Sequence, residues 1–160
     1  MNKVVLYIVV FGLQVFVFNH LNFTSYLVPQ VYIILLIILP VHLRKLNLYL
    51  LAFGLGLVAD FFVSTPGIHA SGALWMMAIR NVILSRLDIT QQKANRMWFT
   101  SNTVGLAPFL YTTLSLVFFY HFYVLFIESI GAFNPVRWLL TVLASSTFAL
   151  LFIWFLELVY

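Results

Sequence analysis

The sequence predicts an all-α integral membrane protein, one domain over residues 1–160 with six transmembrane helices. Three observations carry that reading. Hydrophobic residues make up 64% of the chain and charged residues 8%, against roughly 25% charge in an ordinary soluble domain, and the mean hydropathy is +1.07. No Asp, Glu, Lys or Arg occurs between Val4 and Leu43, or between Met97 and Ile127. A bilayer core takes about 20 apolar residues per helix, so each run suits a long tilted span or a pair of shorter ones. Finally, most basic residues fall in short connections between apolar runs.

The first span is predicted over Val4–Phe18. Its basic start and apolar core resemble a leader peptide, but Phe18, Asn19 and His20 do not make a small-x-small cleavage pattern, so it is expected to be retained. The second span runs over Val28–Leu43, with Pro29 in its first turn, where a missing amide costs little. Pro40 kinks it or ends it early. The third covers Leu46–Val63 and the fourth His69–Leu84. The fifth covers Thr103–Ile127, with a kink at Pro108. The sixth covers Pro135–Leu156. The first and fourth are short, so local thinning of the bilayer or polar flanks must help them.

Charge in the connections sets the expected orientation. Lys3, Arg44, Lys45, Arg86, Lys93 and Arg96 all fall on one side, whereas "NHLNFTSY" and "STPGIH" carry no Lys or Arg. Both termini are therefore expected in the cytoplasm of a cell whose inner membrane holds the chain. Glu128 and Arg137 lie at the last external connection. The loop 85–103 is the largest cytoplasmic one, and its "KANRMW" is expected at anionic headgroups rather than on a protein partner. A net charge of +4 spread over such loops is no nucleic-acid footprint. Cysteine is absent, which excludes disulfides and thiolate metal sites.

The stretch "VADFFVSTPGIHASG", residues 58–72, holds the most informative polar group. Thr65-Pro66-Gly67 turns the chain, so spans three and four form a hairpin that places Asp60 near Gly72 and Ala73. The free amides at the start of the fourth helix offer donors and a positive dipole end to a carboxylate. His69 offers another donor. Asp60 is thus expected to cap and pin the hairpin. The sharper alternative is a polar contact with His69 that meets a partner or ligand. A proton relay is disfavoured, because one carboxylate without a chain of partners moves no proton across a membrane. Ala52, Gly54, Gly56 and Ala59 on the third span are small enough for close helix approach.

Other polar residues have plainer expectations. Arg80 should snorkel to the inner headgroups, since an ion pair with Asp60 would cross roughly 12 Å of helix. Gln14 should bond between helices. His121, in "FFYHFY", reads as a membrane-belt residue, Ala144–Thr147 with Ala149 as a small stripe for tight packing, and Glu157 as a solvated terminal acid. The four histidines, His20, His42, His69 and His121, are scattered, so no three-ligand metal site and no nucleophile–base–orienter set is expected. No phosphate-binding glycine loop occurs. Catalytic, metal and cofactor residues are accordingly expected to be none.

The pattern "FGLGLVADFFVSTPGIHASGALWMMAIR", residues 53–80, resembles the hallmark of the rod shape-determining MreD family. It has a glycine-containing apolar helix, an aspartate, a turn, and Gly-x-His-Ala opening the next helix. "FNHLNFTSYLVPQVYIILLIILP", residues 18–40, is similar to that family's second block as written in its Bacteroidetes branch. The resemblance implies a six-helix fold like the S components of energy-coupling-factor transporters. It also implies a non-enzymatic scaffold of the bacterial cell-elongation machinery, without cofactor, in the cytoplasmic membrane. Partners implied are MreC and, beyond it, MreB, RodA and a class B penicillin-binding protein. Asp60, Pro66, Gly67, His69 and Ala70 match the family motif; Ile68 replaces its usual Leu. Two rivals remain at this point: a substrate-binding membrane subunit of a vitamin or small-molecule transporter, and an enzyme acting on lipid headgroups.

Overall fold

The structure, a computed structural model, describes residues 3–18, 26–41, 43–87 and 98–159. Among them it is helical, without a strand. Helix α1 covers Lys3–Leu13 and continues as one π-helical stretch, Gln14–Phe18. The rest are α2 (Ile33–Ile37), α3 (Lys45–Val63), α4 (Ile68–Arg86), α5 (Ser101–Val104), α6 (Leu106–Ser129, ending in a 3-10 turn to Ala132) and α7 (Pro135–Val159). Three stretches, Lys45–Val63, Leu106–Ala132 and Pro135–Glu157, are long and apolar enough to cross a membrane. Their outward faces fit that solvent: Leu46, Phe61, Leu114, Leu143 and Leu151 are all exposed.

Packing runs α3 against α4, α4 against α6, and α6 against α7. Each buried stripe has helical spacing. On α3 it is Leu48, Ala52, Gly56, Ala59 and Asp60; on α4 it is His69, Ala70, Gly72, Ala73, Met76, Met77 and Arg80. Residues three and four apart share a helix face, so each stripe meets its neighbour along its length. A Cβ at Gly56 would stand 2.4 Å from the Ala70 Cα and 2.8 Å from the His69 carbonyl oxygen. The close approach expected of the small residues on α3 therefore occurs, at Gly56. Gly54, two residues away, meets nothing within 4 Å.

The expected second span, Val28–Leu43, is not one helix. Residues 27–30 belong to no helix, 31–32 turn, α2 lasts five residues, and the chain turns again before Pro40. Yet Pro29 to Leu39 are all buried, against α4 and α6. Proline at both ends denies the backbone a continuous ladder. Non-helical backbone within an apolar bundle persists only where protein groups satisfy it, and here side chains from elsewhere do so. The Val31 and Tyr32 amides donate to Gln14 Oε1, at 2.6 and 3.3 Å, and Gln14 Nε2 donates to the Pro29 carbonyl at 2.9 Å. The Val28 amide donates to Ser145 Oγ at 3.0 Å. At the far end the Phe99 amide donates to the Ile38 carbonyl, at 3.2 Å, and the Arg80 guanidinium donates to the Leu39 carbonyl.

Arg80 thus does not snorkel: it is 1% exposed, its guanidinium 5.6 Å from the centre of the Phe99 ring. A cation at the carboxyl end of a helix also meets the negative end of its dipole. Three further expectations change. The fifth span breaks at Gly105, whose φ of 92° suits glycine, rather than kinking at Pro108. His121 is buried rather than at a belt, with Nδ1 2.9 Å from the Val117 carbonyl oxygen. Glu157, expected in solvent, accepts the Ser101 amide at 2.8 Å and the Ser101 hydroxyl, and so holds the start of α5. Of the small stripe, Ser145, Ser146 and Ala149 are buried, whereas Ala144 is half-buried and Thr147 is exposed. His20, His42, Lys93 and Arg96 lie outside the described residues.

Candidate functional site

The α3–α4 turn is built around one carboxylate. Asp60 ends the buried stripe of α3, and its side chain reaches the unpaired first amides of α4. Oδ1 accepts the His69 amide and the Thr65 hydroxyl, at 2.9 and 2.8 Å, and Oδ2 accepts the Ala70 amide at 2.9 Å. The backbone carbonyl of the same residue accepts the Ser64 and Thr65 amides that close α3. One aspartate therefore terminates one helix and starts the next. Both carboxylate oxygens face the positive end of α4, which is the favourable arrangement for an anion. Asp60 caps the hairpin through the first amides of α4, those of His69 and Ala70, rather than lying opposite Gly72 and Ala73. Pro66 is exposed on the turn, and Gly67 takes φ 81° there. Ala70 sits under Gly56.

The His69 side chain turns away from Asp60. Its Nδ1 lies 3.1 Å from the Tyr120 hydroxyl, which is hydrogen-bonded in turn to the Tyr32 hydroxyl. Its Nε2 lies 3.8 Å from Glu128 Oε1. Tyr120 has one proton to give, so when Tyr32 donates to it, it donates to Nδ1. Nε2 then carries the hydrogen, with no hydrogen-bond partner of its own. Four side chains, from the bent segment, α4 and α6, thus form a polar row. The sequence reading named His69 and Glu128 among them but did not bring the two together, and it did not single out Tyr32 or Tyr120.

This row borders a cavity of about 310 Å³ between α1, residues 27–30, the end of α3 and the end of α6. Phe11, Tyr32 and Phe62 supply aromatic wall, and Gln30, His69 and Glu128 supply polar atoms. Such a volume is at the lower end of small-molecule sites, roughly 300–1,000 Å³. Gln30 is 3% exposed, and its Oε1 has no hydrogen-bond partner. Gln30 and Glu128 line this cavity. A signal for Glu128 was available. It follows the buried Val117, His121 and Val124 at helical spacing, so it stands on the same side of α6, although Glu128 itself is exposed. Ser71, beside the histidine in sequence, gives its hydroxyl proton to the Ile68 carbonyl at 2.8 Å, a local helix-start bond rather than an activated nucleophile.

A separate apolar groove of about 320 Å³ lies between α6 and α7, lined by Leu110, Leu114, Leu150, Leu151 and Trp154 with Thr113 and Thr147. No family model, curated protein or solved structure matches the chain.

Proposed function

We propose that this protein is a non-enzymatic membrane scaffold of the bacterial cell-elongation machinery, an MreD-like subunit that binds MreC and helps organise peptidoglycan synthesis. In this reading it lies in the cytoplasmic membrane with six crossings and both termini inside, in a fold like the S components of energy-coupling-factor transporters. The bent segment then counts as one crossing. MreB, RodA and a class B penicillin-binding protein are reached through MreC.

The reading rests on the resemblance of residues 53–80. One observation supports it: every residue of the motif serves the same small device. Asp60 joins the two helices, Pro66 and Gly67 make the turn, Ala70 admits the backbone of Gly56, and His69 ties the start of α4 to Tyr120 on α6. A motif of that kind fixes the relative position of helices rather than reacting atoms. A rigid pair of this sort suits a protein that offers its outer faces to partner helices, where close packing rather than apolar driving force must supply affinity. The groove between α6 and α7 is the right length scale for a row of apolar side chains from such a helix.

Affinity purification of the full chain from native membranes, with the bound proteins identified, tests the proposal. MreC among them is the expected result. The cavity beside Glu128 favours the second reading, a substrate-binding membrane subunit of a small-molecule transporter, and that reading requires transport ATPase subunits in the same preparation. Recovery of neither set overturns both.

A further inference from the structure

Helix α1 with its π-helical end walls the cavity through Phe11, Gln14, Val15 and Phe18, and it is held differently from the helices around it. The pairs α3–α4, α4–α6 and α6–α7 pack along their lengths, whereas among the described residues α1 runs closely along no other helix. A Cβ at Gly12 would meet nothing within 4 Å, against 2.4 Å at Gly56. Val10 and Gln14 face inward and are buried, while Ile8 and Phe16 are exposed. In lipid, parting α1 from the bundle trades the contacts of Val10 for acyl chains, with little apolar driving force against it. The specific contacts that hold α1, among the described residues, are few. The Gln14 amide bonds backbone groups of residues 29–32 at three points. The Phe11 ring meets Tyr32 and Phe62 edge-on, with centroids 6.3 and 6.5 Å away. Phe18 meets Phe148 and Phe152 of α7 in the same way, at 5.8 and 5.6 Å.

We propose that α1 is a lateral gate between the cavity and the bilayer, with Gln14 as its latch. The hinge is the π-helical stretch Gln14–Phe18, where the backbone leaves the α-helical register and helices bend. Phe18 stays pinned to α7 while Lys3–Leu13 swings. The seam that parts is Phe11 against Phe62. Both line the cavity, and Phe62 is 48% exposed, so the seam is what separates the cavity from the lipid-facing surface of the bundle. Opening breaks the three bonds of Gln14 and closing restores them, so the closed form is the resting state and the open form a minor one, as low contact density along a segment entails. A molecule entering by this route comes from lipid: an apolar or single-chain amphipathic compound rather than a solute of the aqueous phase. The proposal stands on α1 and the cavity alone and is independent of which proteins the chain assembles with.

The chain has no cysteine, so probes can be placed singly or in pairs on the full chain in phosphatidylcholine vesicles. Ile8, Phe61 and Leu114 are exposed, on α1, α3 and α6, and take nitroxides through Ile8→Cys, Phe61→Cys and Leu114→Cys without entering the core. Gln14→Leu is expected to lengthen and broaden the distance between labels at 8 and 114, while the distance between 61 and 114 stays single and narrow. Ala59 lines the cavity and is 5% exposed. The thiol of Ala59→Cys is expected to react with lipid-soluble N-phenylmaleimide about tenfold faster or more once Gln14→Leu releases the latch, and with a charged, water-borne thiosulfonate at an unchanged rate. Phe11→Ala, which keeps Gln14 and loses the seam, is expected to act in the same direction by less, and decides the matter should Gln14→Leu not fold. The proposal is overturned if the folded variants leave the 8–114 distance as in the parent, if the 61–114 distance broadens equally, which is general loosening, or if both thiol reagents speed up alike, which is opening to water.

Discussion

The hairpin α3–α4 and the bent segment 26–41 solve one problem in opposite ways. Both bury backbone in apolar surroundings, where each unsatisfied amide or carbonyl is costly. The hairpin satisfies its backbone locally. Two helices of 19 residues close their own ladders, and one aspartate serves the few amides left over at the turn. The bent segment has five helical residues between prolines, so its ladder is too short to serve itself. It borrows Gln14 from α1, Ser145 from α7, Arg80 from α4 and the Phe99 backbone. The lesson is that apolar composition alone does not say where backbone polarity is discharged. A hairpin so built should fail at a single residue. A segment so built should fail piecewise, at whichever end loses its borrowed partner.

Asp60→Ala carries the largest expected loss. It strands two buried amides at roughly 1–3 kcal/mol each, so unfolding in detergent should show about 3 kcal/mol or more, with Asp60→Asn recovering part of it. A melting curve unchanged in Asp60→Ala would remove the carboxylate from the account of the hairpin. Next comes Gln14→Leu, expected to cost roughly 2–3 kcal/mol. Hydrogen exchange should speed up at Val31 and Tyr32 while the amides of His69 and Ala70 stay protected. Exchange that rises equally at both places would erase the distinction between the two regions. Arg80→Met leaves the Leu39 carbonyl without its donor and should cost about 1–3 kcal/mol, felt at the Phe99 end of the segment and not at Val31. Arg80→Lys, which keeps a charge at the end of α2, should lose less.

A glycine pair gives the sharpest small contrast. Gly56→Ala drives a methyl into the Ala70 backbone and should cost about 1–3 kcal/mol, the usual range for overpacking. Gly54→Ala, facing open space on the same helix, should be neutral or stabilise by up to about 1 kcal/mol through helix propensity. Similar melting temperatures for the two variants would mean that α3 and α4 do not approach as closely as Gly56 and Ala70 indicate.

The hairpin was legible in the sequence because its determinants are close together. Asp60, the Pro66–Gly67 turn and the start of α4 fall within eleven residues, so helix-end chemistry predicts their meeting without tertiary knowledge. Register was off by three residues, since the Asp60 side chain reaches forward to the first amides of α4, at His69 and Ala70, rather than straight across to Gly72 and Ala73. Arg80 was misplaced for a different reason. Its phase, eleven residues after His69, did put it on the buried face, but its partner is a carbonyl forty-one residues away in a segment read as a plain helix. Tyr32 and Tyr120 were passed over because tyrosine in an apolar run looks like a belt residue, and Glu128 was placed at the outer connection without a partner.

By itself, then, the sequence determined the helical class, the bounds of α3, α4 and α7 within a few residues, and the aspartate-capped turn. These follow from hydrophobic period and from bonds made within a turn or two of helix. The tertiary structure alone decided that residues 26–41 bend, that Gln14 and Arg80 hold the two ends, and that His69, Tyr120 and Glu128 converge beside a cavity. Each of those outcomes depends on groups separated by long stretches of chain, where what fixes a polar side chain is the one unsatisfied partner within its reach.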